Sequence, residues 1–207
     1  KDAYKSGTRD KAKQINEDPI KSQDFDAKCF GTNQELINTL ESDYGITVEQ
    51  FQSLRIFAGG KGNGFTITRE EIQKVIPGYE GKGVVFWSDE AIIKNIDEGD
   101  RWAGNSDVHE ALHVDMYYKS DEELVNAQNT VLTILNDSKS PQMQEIRRLL
   151  GDRLRDYEKE FGKDYLKTRA GIEEFFAAIS DATSVLATDA LTKEDRVAIL
   201  QIGEELL

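Results

Sequence analysis

The sequence predicts an α+β protein, in which a small mixed sheet packs on a helix and a mostly helical C-terminal half follows. Val84-Val85-Phe86-Trp87 is a short apolar run that begins after glycines, which is typical of a buried strand. From residue 121 to the end, apolar residues recur at the three- and four-residue spacing of helices. The length of 207 residues and the hydrophobic fraction of 38% suit one domain with a substantial core.

Two regions are predicted along the chain. Residues 1–30 are polar and are expected to form a loosely attached arm of helix and loop. Residues 31–207 are expected to form one domain, with an α/β part over 31–120 and a helical part over 121–207.

Caps and turn residues mark the elements of the α/β part. Thr32 begins a helix that ends near Gly45, and Thr47 caps a second, short helix. The glycine-rich segment 59–64 lacks the order of a phosphate-binding loop, so we expect it to be the turn of a hairpin. The predicted helices cover 32–45, 48–54 and 69–76, and the predicted strands lie at 55–58, 65–68 and within 83–88.

An acidic loop is predicted at residues 95–105, before the helical half of the chain. Its spacing does not match an EF-hand, so a calcium site within 95–107 is left open. Pro141 stands where the first turn of a helix tolerates proline. The predicted C-terminal helices cover 121–137, 141 to beyond 157, 171–188 and 193–206.

Charge and composition exclude several classes of partner. The net charge of −13 argues against binding to nucleic acid or to an anionic membrane surface. No apolar run approaches the 18 or so residues of a membrane-spanning helix. Cys29 is the single cysteine, so no internal disulfide forms. The start at Lys1 instead of Met fits a processed or trimmed product. A single cysteine suits a cytosolic protein as well as a bacterial secreted one, and we expect a secreted monomer.

Both histidines of the chain lie in one motif, His109-Glu110-Ala111-Leu112-His113. Positions i and i+4 of a helix lie on one face, so two imidazoles can bind one zinc ion at about 2.0–2.1 Å. Glu110 follows the first histidine, where its carboxylate can take a proton from water. This is the HExxH signature of the zincin metallopeptidases, and the chain resembles them at all three positions. An amphipathic helix with two histidines on one face is the alternative.

A third ligand is needed, because a catalytic zinc site uses three protein ligands and a water. The chain has no third histidine, so a carboxylate is expected. Residues 171–181 are the best segment, since carboxylates in an apolar helix are costly unless paired or coordinated. The candidates are Glu173, Glu174 and Asp181. A second carboxylate would accept the free N–H of a liganding histidine, and Asp107, Asp115 and Asp181 are the candidates for that role.

Glu174 stands directly before Phe175-Phe176-Ala177, which resembles the third-ligand helix of the anthrax lethal factor-like metallopeptidases and the related clostridial Pro-Pro endopeptidases. The resemblance implies a gluzincin in which Glu174 is the zinc ligand. It also implies an edge strand beside the HExxH helix, to which substrate backbone adds, and we assign that role to a strand within 83–88. The tyrosine that supports the oxyanion in that family would align with Lys167, so the nearby Tyr165 is predicted for this role. The alternatives for that role are Tyr117, Tyr118 and Lys167.

The predicted function is therefore that of a zinc-dependent endopeptidase acting on a peptide or protein substrate. Glu110 is expected to be the general base, and the three expected ligands of Zn²⁺ are His109, His113 and Glu174. Secretion and the family resemblance suggest a bacterial, toxin-like protein. Two alternatives stay open: a catalytically inactive zincin-like binding module, and a helical interaction domain without metal.

Overall fold

A computed structural model describes residues 2–53, 63–186 and 191–206 of the chain. Contacts between Cα atoms divide the chain into two compact units, Lys1–Val114 and Asp115–Leu207. The described residues confirm the α+β class. The first unit contains α1 (Asp2–Glu17), α2 (Lys21–Asp24), β1 (Phe25–Phe30), α3 (Asn33–Tyr44), α4 (Val48–Ser53), β2 (Gly64–Ile67), α5 (Arg69–Val75), β3 (Gly83–Ser88), α6 (Asp89–Asp97) and most of α7 (Ser106–Tyr117).

The sheet is mixed and has β3 as its central strand. Among the described residues, the strand order is β1-β3-β2, with β1 parallel and β2 antiparallel to β3. All residues of β3 are buried, which explains its continuous apolar run. The mixed sheet is thus confirmed, but the edge position assigned to the strand within 83–88 is wrong. A strand whose residues are apolar on both faces is predicted to be buried. The same pattern does not show whether other strands pair with one or with both of its edges.

The second predicted hairpin strand corresponds to β2. Its predicted partner at 55–58, and most of the predicted glycine turn, lie outside the described residues. Within the described chain, β2 is paired with β3 through the register that sets Thr66 opposite Val85.

The segment expected to be a loose arm takes part in the sheet. Phe25–Phe30 form β1, and Phe25 and Ala27 are buried. The side-chain amide of Asn16 in α1 donates to the carbonyl of Ala27 and accepts from its N–H, both at 2.8 Å. This pairing satisfies backbone groups on the outer side of β1. The segment before residue 30 is thus tied to the sheet, because Asn16 of a helix that looks polar in sequence bonds both backbone groups of Ala27.

Helix ends in the first unit are set by capping side chains and by glycine. Thr32 and Thr68 each accept a hydrogen bond from the N–H three residues on, and a glutamate side chain there returns the bond. Gly45 ends α3 with φ of 64°, a conformation that glycine adopts without strain. The helices predicted over 32–45, 48–54 and 69–76 are confirmed as α3, α4 and α5.

The region before α7 is more ordered than the loop predicted at 95–105. α6 extends to Asp97, and a short 3-10 helix covers Ala103–Asn105. Ile92 is fully buried, and Ser88 caps the helix by accepting from the N–H of Ala91. The acidic residues of this region therefore lie partly on the solvated side of a helix.

The second unit contains no strand among its described residues. Ser120 and Ser140 cap its first two full helices, and Pro141 lies at the first turn as predicted. None of the described helices combines the length and apolarity needed to span a membrane. Its elements are the end of α7, α8 (Asp121–Asp137), α9 (Pro141–Phe161), a 3-10 turn (Tyr165–Lys167), α10 (Arg169–Ser184) and α11 (Lys193–Leu206).

Candidate metal centre

The two histidines lie one helical turn apart on α7, as their spacing predicted. Their ring centroids are 5.3 Å apart and their planes are inclined by 57°. His109 is buried, with 9% of its surface exposed, and His113 is half-buried. The start of α7 is fixed by the indole of Trp87 in β3, which donates to the carbonyl of Ser106 at 3.2 Å. This hydrogen bond from β3 fixes the first turn of α7, and the two histidines follow on the same helix.

Glu110 is held by a side chain from β2. The Thr66 hydroxyl lies 2.9 Å from Oε2 of Glu110 and 3.0 Å from its backbone oxygen, and it donates to these acceptors. Glu110 itself is buried, with 9% of its surface exposed. A carboxylate that accepts a hydrogen bond in a buried place keeps one orientation, which a general base needs.

Gly64 permits the close approach of β2 to the HExxH helix. A Cβ atom at this position would lie 2.8 Å from Cγ of Glu110 and 2.8 Å from the indole of Trp87. Such distances are far below ordinary carbon–carbon contacts of about 3.5–4.0 Å. Glycine is therefore needed where the strand passes Glu110.

The three candidates for the third ligand are distinguished by their contacts. Glu173 accepts a hydrogen bond from Nε of Arg169 at 2.8 Å. Asp181 is buried and forms an ion pair with Arg153 at 3.4 Å. One ring nitrogen each of His109 and His113 and one carboxylate oxygen of Glu174 all lie within 4.8 Å of one another. No other group of three or more potential metal ligands of this kind occurs among the described residues.

Asp107 lies in the first turn of α7, two residues before His109. Burial raises the pKa of its carboxyl above the ordinary value, and hydrogen bonds with backbone N–H groups of Val108 and of Asp107 itself oppose the rise. These bonds belong to the start of the helix, where N–H groups need acceptors. The assignment of Asp107, Asp115 or Asp181 to a histidine N–H stays a prediction.

Tyr165 belongs to an aromatic cluster of the second unit. Its ring lies 4.6 Å from that of Phe161 and 6.5 Å from that of Tyr157, measured between centroids. Its backbone oxygen lies so close to the start of α10 that a Cβ at Gly171 would overlap it. Its role in stabilising an oxyanion stays a prediction. Lys167, the residue that the family alignment selects, is exposed and pairs with Asp164 at 2.7 Å.

The acidic segment 95–107 shows turn-forming contacts. Asp100 accepts a hydrogen bond from the N–H of Trp102 at 2.9 Å, and Gly99 has a positive φ of 87°. These are the interactions of an Asx-type turn, which aspartate makes with the residue two positions on.

Sequence reasoning missed Thr66, because a hydroxyl in a strand carries no local sign of a partner 44 residues away. It also missed Arg153 and Tyr157 of α9, which are near the acidic residues of α10. The sequence shows that these two residues lie one helical turn apart, but it does not show which residues of α10 they contact. No family model, curated protein or solved structure matches this chain.

Proposed function

We propose that this protein is a zinc-dependent endopeptidase whose metal ligands are His109, His113 and Glu174. The observation that supports this most is the convergence of one donor atom from each of these residues within 4.8 Å. Glu110 lies between the two histidines in sequence and is oriented by the Thr66 hydroxyl. A metal site alone would not require a buried, oriented carboxylate beside it, whereas hydrolysis does.

The chemistry of the donor set fits zinc. Two imidazoles and one carboxylate form one of the three-ligand sets of catalytic zinc, which leaves a fourth position for water. Calcium and magnesium prefer six or more oxygen ligands, so this set does not suit them. A zinc ion held there would polarise the scissile carbonyl and make the attacking water more acidic.

The chain's own residues carry the proton transfers. Glu110 takes a proton from water as the water oxygen attacks the carbonyl carbon of the peptide bond. It then delivers that proton to the amine nitrogen as the carbon–nitrogen bond breaks. Thr66 keeps the carboxylate in place, and we assign to Tyr165 the donation of a hydrogen bond to the developing oxyanion.

The substrate is a peptide segment that pairs with β2. Among the described residues, β2 and not β3 is an outer strand of the sheet, and the Thr66 contact with Glu110 indicates that β2 lies beside the HExxH helix. The outer side of β1 is partly satisfied by Asn16, which leaves β2 as the better strand for main-chain pairing. An extended peptide on β2 would pass close to Glu110.

Metal content and turnover test this proposal together. Wild type, Glu174→Ala and Glu173→Ala are dialysed against zinc and analysed for bound metal. We expect one zinc per chain in wild type and in Glu173→Ala, and loss of zinc in Glu174→Ala. Glu173 is the matched control because it is adjacent and bound to Arg169. Zinc retained in Glu174→Ala and lost in Glu173→Ala would move the ligand to Glu173.

The general base is tested separately with Glu110→Gln. This change keeps shape and hydrogen bonding but removes basicity, so zinc should stay bound while hydrolysis of a mixed peptide library falls by about 10²–10⁴-fold. Turnover at the wild-type rate would reject Glu110 as the base. Zinc binding without hydrolysis by wild type would instead favour a metal-bearing binding module.

A further inference from the structure

α9 and α10 carry a group of polar side chains within the apolar interior of the second unit. Arg153 and Tyr157 lie one turn apart on α9, and Glu174 and Asp181 lie two turns apart on α10. A short 3-10 turn joins these two helices. The group therefore belongs to a single helical hairpin, and its members come from facing helices.

Tyr157 is the buried hydroxyl donor of this group. Its side chain is buried, with 7% of its surface exposed. Its hydroxyl oxygen is also buried, and the carboxylate that faces it is Glu174. Burying a hydroxyl without an acceptor costs free energy relative to exposing it to water, so a buried hydroxyl is expected to have an acceptor nearby.

The ring of Tyr157 is fixed by its neighbours. The Arg153 guanidinium lies 4.8 Å from the ring centroid, within the range of cation–π attraction. The same arginine forms an ion pair with Asp181 at 3.4 Å, so Arg153 is tied to α10 while it covers the ring. Tyr157 is consequently held in one orientation on the hairpin.

The hydroxyl lies in the field of the Glu174 carboxylate. Burial raises the pKa of Tyr157 well above its ordinary value, and the negative charge of Glu174 adds to the rise. A phenol hydroxyl is a hydrogen-bond donor. The Glu174 carboxylate, whose Oε2 is buried, is the acceptor that faces this donor.

We propose that Tyr157 is a positioning residue for the third metal ligand: its hydroxyl donates to the Glu174 carboxylate and fixes which oxygen faces the metal. The inference rests on the proposed function. A carboxylate that binds zinc through one oxygen still has acceptor capacity on the other, and a donor there sets the orientation of the ligand. The family resemblance assigned no role to Tyr157.

Zinc affinity of the Tyr157→Phe variant tests this inference. The dissociation constant is measured by competition with a chromogenic chelator, with no need for turnover. We expect zinc binding to weaken by about 10- to 100-fold, the usual effect of removing an outer-shell partner. Tyr44→Phe is the matched control, because the Tyr44 hydroxyl is also buried but belongs to α3 of the first unit. Its zinc affinity should equal that of wild type.

A double-mutant cycle then shows whether Tyr157 acts through Glu174. In a Glu174→Ala background, adding Tyr157→Phe should not change the residual zinc affinity. An equal loss in both backgrounds would contradict the inference, because it would indicate a general effect on the fold. If wild type binds zinc and Tyr157→Phe binds it equally well, the inference is wrong while the proposed function stands. If wild type binds no zinc, both fail.

Discussion

Thr66 and Glu110 show how one hydroxyl can orient the carboxylate that we propose as the general base. The threonine comes from β2 and the glutamate from α7, and the bond between their side chains measures 2.9 Å. The Thr66 hydroxyl also reaches the backbone oxygen of Glu110 at 3.0 Å. One side chain therefore fixes both the carboxylate and the helical turn that carries it. The site depends on a strand residue that contributes no metal ligand.

Thr66→Val should slow hydrolysis without releasing zinc. Valine keeps the shape of threonine and removes the donor, so Glu110 loses its orientation while the histidines are untouched. We expect kcat to fall by about 10-fold, which corresponds to about 1.4 kcal/mol, with little change in KM. Steady-state kinetics on a peptide substrate and metal analysis of the same sample check this.

Thr66→Ser is the control, because it restores the hydroxyl and should recover most of the rate. A valine variant as fast as wild type, or one that loses its zinc, would reject the positioning role of Thr66.

Arg169 connects several element ends in the second unit. Its guanidinium donates to the carbonyls of Met116 and Lys119 at 3.0 and 2.9 Å, which lie at the end of α7 and just after it. It also bonds Asp121 in the first turn of α8 and Glu173 in its own helix, α10. Carbonyls at a helix end lack partners within the helix, so these bonds satisfy them. α10, which carries Glu174, therefore starts from a fixed point.

Arg169→Lys should destabilise the protein by about 1–2 kcal/mol, because lysine cannot direct donors to so many acceptors at once. The side chain is 36% exposed, so solvent screening keeps the loss small. Urea denaturation at neutral pH measures it. The matched control is Arg155→Lys, since Arg155 is 61% exposed and pairs with Asp152 on its own helix. Equal losses in the two variants would contradict a special role for Arg169.

The start of α11 should respond to acid. Asp195 accepts hydrogen bonds from the N–H and hydroxyl of Thr192, and a hydrogen bond from Ser140 is the main cause that holds its pKa below the ordinary value. A carboxyl with a lowered folded-state pKa stabilises the protein above its unfolded pKa, about 3.9, and loses this contribution as pH falls through the folded value.

Asp195→Asn should therefore be less stable than wild type at pH 7, and the difference should shrink as pH falls below about 4. Denaturant unfolding at a series of pH values measures this difference. A difference that stays constant with pH would show that the charge of Asp195 contributes nothing.

At the scale of the whole molecule, zinc should stabilise the fold. A ligand that binds only the folded state raises the free energy of unfolding by about 1.4 kcal/mol for each tenfold rise in free ligand above the dissociation constant. We expect a chelator to lower the melting temperature of wild type and added zinc to restore it. His113→Ala should melt at one temperature in chelator and in zinc, and a zinc-dependent shift in that variant would place the metal elsewhere.

The net charge of −13 also acts at this scale. It disfavours anionic partners and attracts divalent cations without selecting among them. If the protein binds zinc as we propose, its selectivity must therefore come from the two imidazoles and the carboxylate.

Features within one helix could be predicted from the sequence. The spacing of His109 and His113 placed both rings on one face of α7, and Thr32 and Pro141 marked helix starts to within a residue. These features depend on neighbours at most four positions away, so local patterns suffice. The same argument explains why β1 was missed, because its pairing depends on β3 about sixty positions later.

The sequence by itself determined the α+β class, the helical C-terminal half and the HExxH motif, because each follows from short-range periodicity or spacing. Only the tertiary structure decided that β3 is central, that Thr66 bonds Glu110 and that Arg153 pairs with Asp181. Those contacts join residues whose neighbours in space are set by strand register and helix packing. A short stretch of sequence contains no sign of strand register or of helix packing. The role of Glu174 was therefore predicted from a family resemblance, and bound zinc in the Glu174→Ala variant is its test.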